Sequence, residues 1–378
     1  MSHQAAVLGV GTSSFGKQPE VPLAQLAWSA VQEALSDSGV DARGIEAAYV
    51  GSVLGPFGSA QRALQGLGIG RIPVITVENA CASGTTAFHE ACWAVREGRY
   101  ETVLVLGQEH MSSRITGAIP PDLGDPEGRS GLALPGVYAM AASRYMARYG
   151  LTLRQLAQVS VKNHGHALGN PRAQYSGDYT VEEVLASPLI ADPLTLLQCC
   201  PISDGAAALV VGRAAARRDA VRVRSCALRS GRAWGYRSEH AWGFEIVRET
   251  AEAAYAEAGL GASEADLFEV HDSFTIGEIL SIEGLGLAAE GEGGRLTESG
   301  HTALGGPQPV NPSGGLLSRG HPLGCTGVAQ LAEVTWQLRG QAGARQVEGA
   351  RIGVVETMGG GVAGLDGNAC VVAVLERP

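Results

Sequence analysis

Two stretches far apart in the chain carry the same hydrophobic design. Residues 24–40, AQLAWSAVQEALSDSGV, set apolar residues at helical spacing and end at Gly39, and residues 244–260, FEIVRETAEAAYAEAGL, repeat that spacing and end at Gly259. An apolar stripe recurring every three or four residues marks a helix with one face on a core. A glycine just past the stripe is a natural C-cap. A strand-like run follows each helix, EAAYVGSV in the first case and DLFEVHDSF in the second. Each segment then closes on a Gly-led apolar strand, DGAAALVVG at 204–212 and DGNACVVAVL at 366–375. The chain therefore reads as a duplication, an N-terminal half over 1–215 and a C-terminal half over 220–378. Alternating strands and helices predict an α/β fold of two αβα halves, each with a mainly parallel, mixed sheet covered by helices.

The N-terminal half is longer by the stretch 111–200. Its start, TGAIPPDLGDPEGRSG, reads as a Pro- and Gly-rich loop, and helical spacing predicts helices over 137–149, 153–167 and 180–186. A long insertion inside a compact half usually carries function, often as a substrate lid. No low-complexity linker separates the halves, so they are expected to share an interface. ETVLVLG, 101–107, is apolar throughout, which invites reading it as part of an interface between two copies of the chain.

Composition narrows the class. The 378 residues are 45% hydrophobic and 17% charged, as in a well-packed globular protein. The 53 glycines are about twice the usual share and cluster beside apolar runs, as tight turns and close backbone approach require. A formal net charge of -10, with no basic run, argues against a nucleic-acid surface. No run of 18 apolar residues offers a membrane span, MSHQAAVLGVGTSSFG has no secretory pattern, and LERP is no peroxisomal tripeptide. Seven cysteines, an odd number without CxxC spacing, fit reduced thiols in the cytoplasm.

One of those thiols raises a question. VENACASG, 77–84, sets Cys81 between the apolar run IPVITV and the helical TTAFHEACWAV, with almost no side chain around it. A helix N-terminus lowers a thiol pKa and small neighbours let a substrate reach the sulfur, although an isolated cysteine is more often a buried filler. A second stretch tips the balance. In NPSGGLLSRGHPLGCTG, 311–327, His321 is followed by proline, flanked by glycines, and set just before a helix predicted to begin near Thr326.

With NACASG, NPSGGLLSRGHPLGCTG and the terminal ETMGGGVAG, 356–364, the chain resembles the thiolase superfamily over its whole length. EVHDSFT, 269–275, and KNHGHALGNPRAQY, 162–175, make it similar to the sterol-carrier-protein-type and archaeal-type branch, whose signature is His-Asp-Cys-Phe. The resemblance implies an acetyl-CoA acyltransferase-like enzyme acting on acyl-CoA thioesters, with coenzyme A as a substrate and no bound cofactor or metal. It implies that Cys81 attacks a thioester carbonyl and carries the acyl group. His321 would take its proton and His271 would complete an oxyanion hole. The backbone N–H groups of Cys81 and Gly359 would form a second hole, where only a residue without a side chain fits. It also implies a homodimer and, in bacterial relatives, a small OB-fold partner.

The pattern breaks at the second cysteine that thiolases use to move the α-proton. Thr357 and Ser273 occupy its two usual places. Ser273 and Cys325, four residues after His321, are the auxiliary candidates, with packing as the simpler account of Cys325. Asp272 is expected on the opposite face of its strand. Three functions compete: acyl transfer through an acyl-cysteine (thiolysis, Claisen condensation or C-acyl transfer), retro-aldol cleavage of a branched hydroxyacyl-CoA with tyrosines such as Tyr138 or Tyr236 as acid-base groups, and a non-catalytic thiolase-like role. Elsewhere, His164 and His166 read as a helix-end pair rather than a metal site, Cys199 and Cys200 as reduced core residues, and His110 as strand-end packing. GVGTSSFG lacks the dinucleotide-binding spacing.

Overall fold

A computed structural model describes residues 4–235 and 237–377. Its main sheet contains β1 (Ala5–Thr12), β2 (Ala47–Gly51), β3 (Val74–Val77), β4 (Thr102–His110), β7 (Asp204–Arg213), β8 (Val221–Arg229), β9 (Leu267–Glu269), β10 (Ile352–Gly359) and β11 (Ala369–Glu376); β5 (Leu189–Ala191) and β6 (Leu194–Thr195) form a separate hairpin. The strand order is β3-β2-β4-β7-β1-β8-β11-β10-β9. From the antiparallel β1–β8 junction, the halves run outward in matching order, β1-β7-β4-β2 and β8-β11-β10-β9, and the first adds β3 at its edge.

The pairings correct the expectation of a mainly parallel sheet. β2–β3, β2–β4 and β9–β10 are parallel, whereas β1–β7, β4–β7, β8–β11 and β10–β11 are antiparallel. Only a helical crossover makes successive neighbouring strands parallel. β7 follows directly from the insertion and β11 returns from β10 through the turn 360–368, so neither strand has one.

Alternation along the strands builds a layer on each face. In β11, Val371, Ala373 and Leu375 join the central core, and Cys370, Val372 and Val374 join the core under helix Phe244–Ala258. The central core holds two buried helices, Ser83–Arg96 from one half and Thr326–Leu338 from the other. In the second, Trp336 is the only residue that is not buried, as expected of a helix enclosed on all sides. The duplicated helices Leu23–Ser38 and Phe244–Ala258 cover the outer faces. Each ends in a left-handed glycine whose N–H reaches back four residues, Gly39 to Leu35 and Gly259 to Tyr255.

The insertion forms helices Leu134–Tyr149, Leu153–Ala167 and Val181–Ala186. Thr152 with Gln155 and Thr180 with Glu183 cap the last two reciprocally. The expected strand DLFEVHDSF is shorter: β9 stops at Glu269, and residues 270–274 leave the sheet. Asp272 explains the departure. Its carboxylate accepts from the backbone N–H of Leu316 at 2.6 Å and from Asn163 Nδ2 at 2.7 Å, and these contacts hold it off the ladder.

Candidate active site

The two central helices bring their N-termini together, and the two motifs come with them. A Cβ added at Gly84 would lie 2.6 Å from the Gly324 carbonyl, and one at Gly327 would lie 2.4 Å from Thr85 Cγ2. Only glycine permits that approach. Cys81 sits two residues before the first helix, in a turn where Ala80 adopts φ 49°. Ser83 Oγ stabilises this left-handed alanine by accepting from the Asn79 N–H at 2.9 Å and donating to the Ala80 carbonyl at 2.6 Å.

His321 meets Cys81 across the junction, with Nε2 3.2 Å from Sγ. Thr326 assigns the tautomer. Its hydroxyl donates to the Pro322 carbonyl at 3.0 Å, so at 2.7 Å it accepts from His321 Nδ1–H. Nε2 is thereby left as the acceptor for the Cys81 S–H. The His321 backbone N–H donates to Ser203 Oγ at 3.0 Å, which fixes the turn. His271 stands edge-on to His321 with ring centroids 5.2 Å apart, and the His271 backbone N–H donates to Glu356 Oε2 at 2.9 Å.

Burial governs the charge state. Desolvation pushes the Cys81 thiol up to about 12, against the lowering expected from the helix N-terminus alone, and the Glu109 and Glu78 charges add to the rise. Desolvation also holds His321 well below its usual value and His271 at about 3. The resting pair is therefore a neutral thiol on a neutral imidazole. Proton transfer becomes favourable when a carbonyl accepts the charge that develops on sulfur.

A cavity of about 620 Å³ opens over Cys81, His271, His321 and Ser273, lined mainly by apolar side chains including Met111, Ile119 and Phe274. Gly360 also lines it, while Gly359 stands behind the cysteine turn, where an added Cβ would lie 2.2 Å from the Asn79 carbonyl. Ser273 Oγ and His271 Nδ1 are buried and make no well-formed hydrogen bond, and Ser273 Oγ lies beside the Tyr138 phenol, toward which it acts as a donor. Cys81, His271 and His321 offer donor atoms within 4.8 Å of one another, a spacing open to a soft divalent ion.

Other candidates fall elsewhere. Cys325 packs in the central core, fully buried beside the helix pair, and is not a cavity residue. Thr357 donates its hydroxyl to Gln330 Oε1 at 2.6 Å. His110 closes the end of β4, with Nδ1 2.9 Å from Ser113 Oγ. His166 accepts from the Leu304 N–H at 2.9 Å, whereas His164 lines the cavity against Tyr179. Tyr236 lies outside the described residues. Sequence reasoning placed Cys199 and Cys200 in the core, yet both are half-buried and line the cavity. Their apolar surroundings, LLQCCPI, read like a core segment because the cavity wall is itself apolar.

Comparison with known proteins gives this geometry a family. Residues 5–215 match the family described as "Thiolase, N-terminal domain", and residues 232–375 match "Thiolase C-terminal domain-like". An acetyl-CoA acetyltransferase of Methanothermobacter thermautotrophicus is 42% identical, over 94% of this chain and 96% of its own. The chain belongs to the thiolase family. Thiolase relatives include benzoylsuccinyl-CoA thiolase subunit BbsB of Thauera aromatica, 38% identical over 96% of both chains, and sterol carrier protein 2 of Homo sapiens, 37% identical over 93% of this chain and 69% of its own. Among solved structures, the Ltp2-ChsH2(DUF35) aldolase superposes with a TM-score of 0.85 at 25% identity, over 99% of this chain and 98% of its own. Human mitochondrial 3-ketoacyl-CoA thiolase shares the thiolase fold at a TM-score of 0.76 and 17% identity, over 99% of both chains.

Proposed function

We propose that this thiolase-family acyltransferase works on 3-oxoacyl-CoA or related thioesters through an acyl group carried on Cys81. The observation that carries the reading is the 3.2 Å contact between Cys81 Sγ and the acceptor nitrogen of His321, at the floor of an apolar cavity. His321 Nε2 takes the thiol proton as sulfur adds to the carbonyl, and Thr326 steadies the imidazolium that forms. His271, held near Sγ, donates to a developing oxyanion, with the backbone N–H groups at Cys81 and Gly359 as the second pair of donors. The exposed Lys17 at the cavity rim supplies a cation for the phosphates of coenzyme A. The protein is expected to work as a cytoplasmic homodimer, where a reducing environment keeps the Cys81 thiol intact. Among the described residues no helix is long and apolar enough to cross a membrane. A small OB-fold partner is a further expectation, supported by the DUF35 component that accompanies the Ltp2-ChsH2 aldolase.

Mass spectrometry after mixing with an acyl-CoA tests the reading. An acyl adduct on Cys81, lost in Cys81→Ala, supports it. Turnover without any adduct, retained in Cys81→Ala, would favour the second reading, a retro-aldolase. That alternative draws on the Tyr138 phenol in the cavity and on the likeness to an aldolase structure.

A further inference from the structure

Cleaving or forming the bond next to a thioester carbonyl requires a proton to move on and off carbon C2 of the acyl-CoA, in addition to the proton exchanged between Cys81 and His321. Cys81 is occupied by the acyl group at that moment, and His321 holds the proton it has taken. His271, with its pKa near 3, is a neutral hydrogen-bond donor rather than a proton source. Thr357 and Cys325 lie outside the cavity. An unactivated serine hydroxyl at 273 has no base among its hydrogen-bond partners.

Cys200 is the thiol that remains. It comes from the insertion, and its backbone N–H donates to the Ser273 carbonyl at 2.9 Å, while Cys199 pairs with Phe274. That short pairing lays the segment along residues 273–274, so Cys200 lines the same cavity as Ser273, His271 and Cys81. Its neighbour Cys199 is engaged, donating Sγ–H to the Thr195 carbonyl at 3.3 Å. Cys81, Cys200 and Tyr138 line one and the same cavity. The buried, unpartnered His271 Nδ1 marks a wall prepared for a polar atom that the protein itself does not supply.

We propose that Cys200 is a catalytic residue, the acid and base that moves the C2 proton, in place of a thiol at 273 or 357. This rests on the acyl-Cys81 reading above. In the cleavage direction, the Cys81 sulfur adds to the 3-oxo carbonyl and the C2–C3 bond breaks. Its electron pair passes to the thioester as an enolate, and Cys200 Sγ–H gives its proton to C2, leaving acyl-Cys81 and the shortened acyl-CoA. The Cys200 thiolate then takes the proton of an incoming coenzyme A thiol. The coenzyme A sulfur attacks acyl-Cys81, and the released Cys81 sulfur recovers its proton from His321. Atoms and charges balance without any further reagent. Burial keeps the Cys200 thiol protonated at rest, which suits a group whose first act is to donate.

The experiment separates the two half-reactions. Acylation of Cys81 by 4-nitrophenyl acetate, whose leaving group departs without a proton from Cys200, is followed by intact-protein mass spectrometry, and exchange of the C2 protons of acetyl-CoA in heavy water by proton NMR. Cys200→Ser is expected to acylate Cys81 within about threefold of wild type while C2 exchange falls about 10²-fold or more. Adding Ser273→Cys to that variant should restore exchange at least about tenfold, because it returns a thiol to the adjoining wall, a recovery that a packing defect would not show. The inference is overturned if Cys200→Ser leaves exchange intact, if acylation and exchange fall together, if the double variant regains nothing, or if Tyr138→Phe abolishes exchange while Cys200→Ser does not. If the wild-type protein acquires no acyl group on Cys81, the acyltransferase reading itself fails and takes this inference with it.

Discussion

At the site the sulfur of Cys81 is controlled by two opposing effects, and burial wins. The turn before a helix offers a partial positive charge, worth roughly 0.3–1 kcal/mol in exposed settings. Complete desolvation raises the thiol to about 12. Iodoacetamide reacts with the thiolate, so alkylation of Cys81 should climb about tenfold per pH unit from pH 7 to 10. The sign follows from a pKa above that whole window, where each unit of pH multiplies the thiolate fraction. A plateau beginning near pH 7 would instead reveal a resting thiolate–imidazolium pair. The same site orders the variants. Ser273→Ala should cost less than about tenfold in kcat on one 3-oxoacyl-CoA, because the hydroxyl has no hydrogen-bonded base, whereas His271→Ala or His321→Ala should cost roughly 10²–10⁴. A Ser273→Ala variant as inactive as His321→Ala would assign the proton chemistry to the serine. That Cys81, His321 and His271 share one site could be read from the sequence because their motifs are local, and the structure brings the three together. That Cys200 joins them could not, since only tertiary pairing with residues 273–274 turns LLQCCPI from apparent core into cavity wall.

Two helices do the positioning, and the glycines between them set its accuracy. Gly84 and Gly327 let helices Ser83–Arg96 and Thr326–Leu338 touch backbone to side chain, and this contact holds Cys81 and His321 within 3.2 Å. A methyl group at Gly84 would meet the Gly324 carbonyl at 2.6 Å and Val328 Cγ2 at 2.9 Å. Backbone cannot rotate away as a side chain can. Gly84→Ala should therefore destabilise the fold by about 1–3 kcal/mol through overpacking. A displacement of about 1 Å at the junction can cost about 10² in rate, so kcat should fall further than stability does. Calorimetry beside steady-state kinetics checks both, and an unchanged kcat in a destabilised variant would show that the helix contact does not set the catalytic distance. Helix positions were legible here because the apolar stripe, the capping boxes and the terminal glycines are local signals. Strand direction was not, because it depends on whether a connection crosses over, and those leading into β7 and β11 do not.

Among the described residues, the main sheet leaves the outer edge of β3 unpaired. β4, whose continuous apolar sequence invited an interface reading, lies between β2 and β7 and is buried there, so its composition is explained within the subunit. β3 is different. It ends the sheet, pairs only with β2, and exposes Ile75 and Thr76, with Trp93 on the neighbouring helix 60% exposed. Proteins guard open edges with charge, proline or bulges, and VITV carries none of these. An isologous dimer in which two β3 strands run antiparallel across a two-fold axis would cover both edges and bring the two cysteine turns, four residues downstream, toward the interface. Light scattering at micromolar concentration should give twice the chain mass. Ile75→Glu places like charges across the axis and should shift the protein to a monomer while the Cys81–His321 junction, built within one subunit, stays intact. A wild-type monomer, or a variant that remains fully dimeric, would remove β3 as the interface.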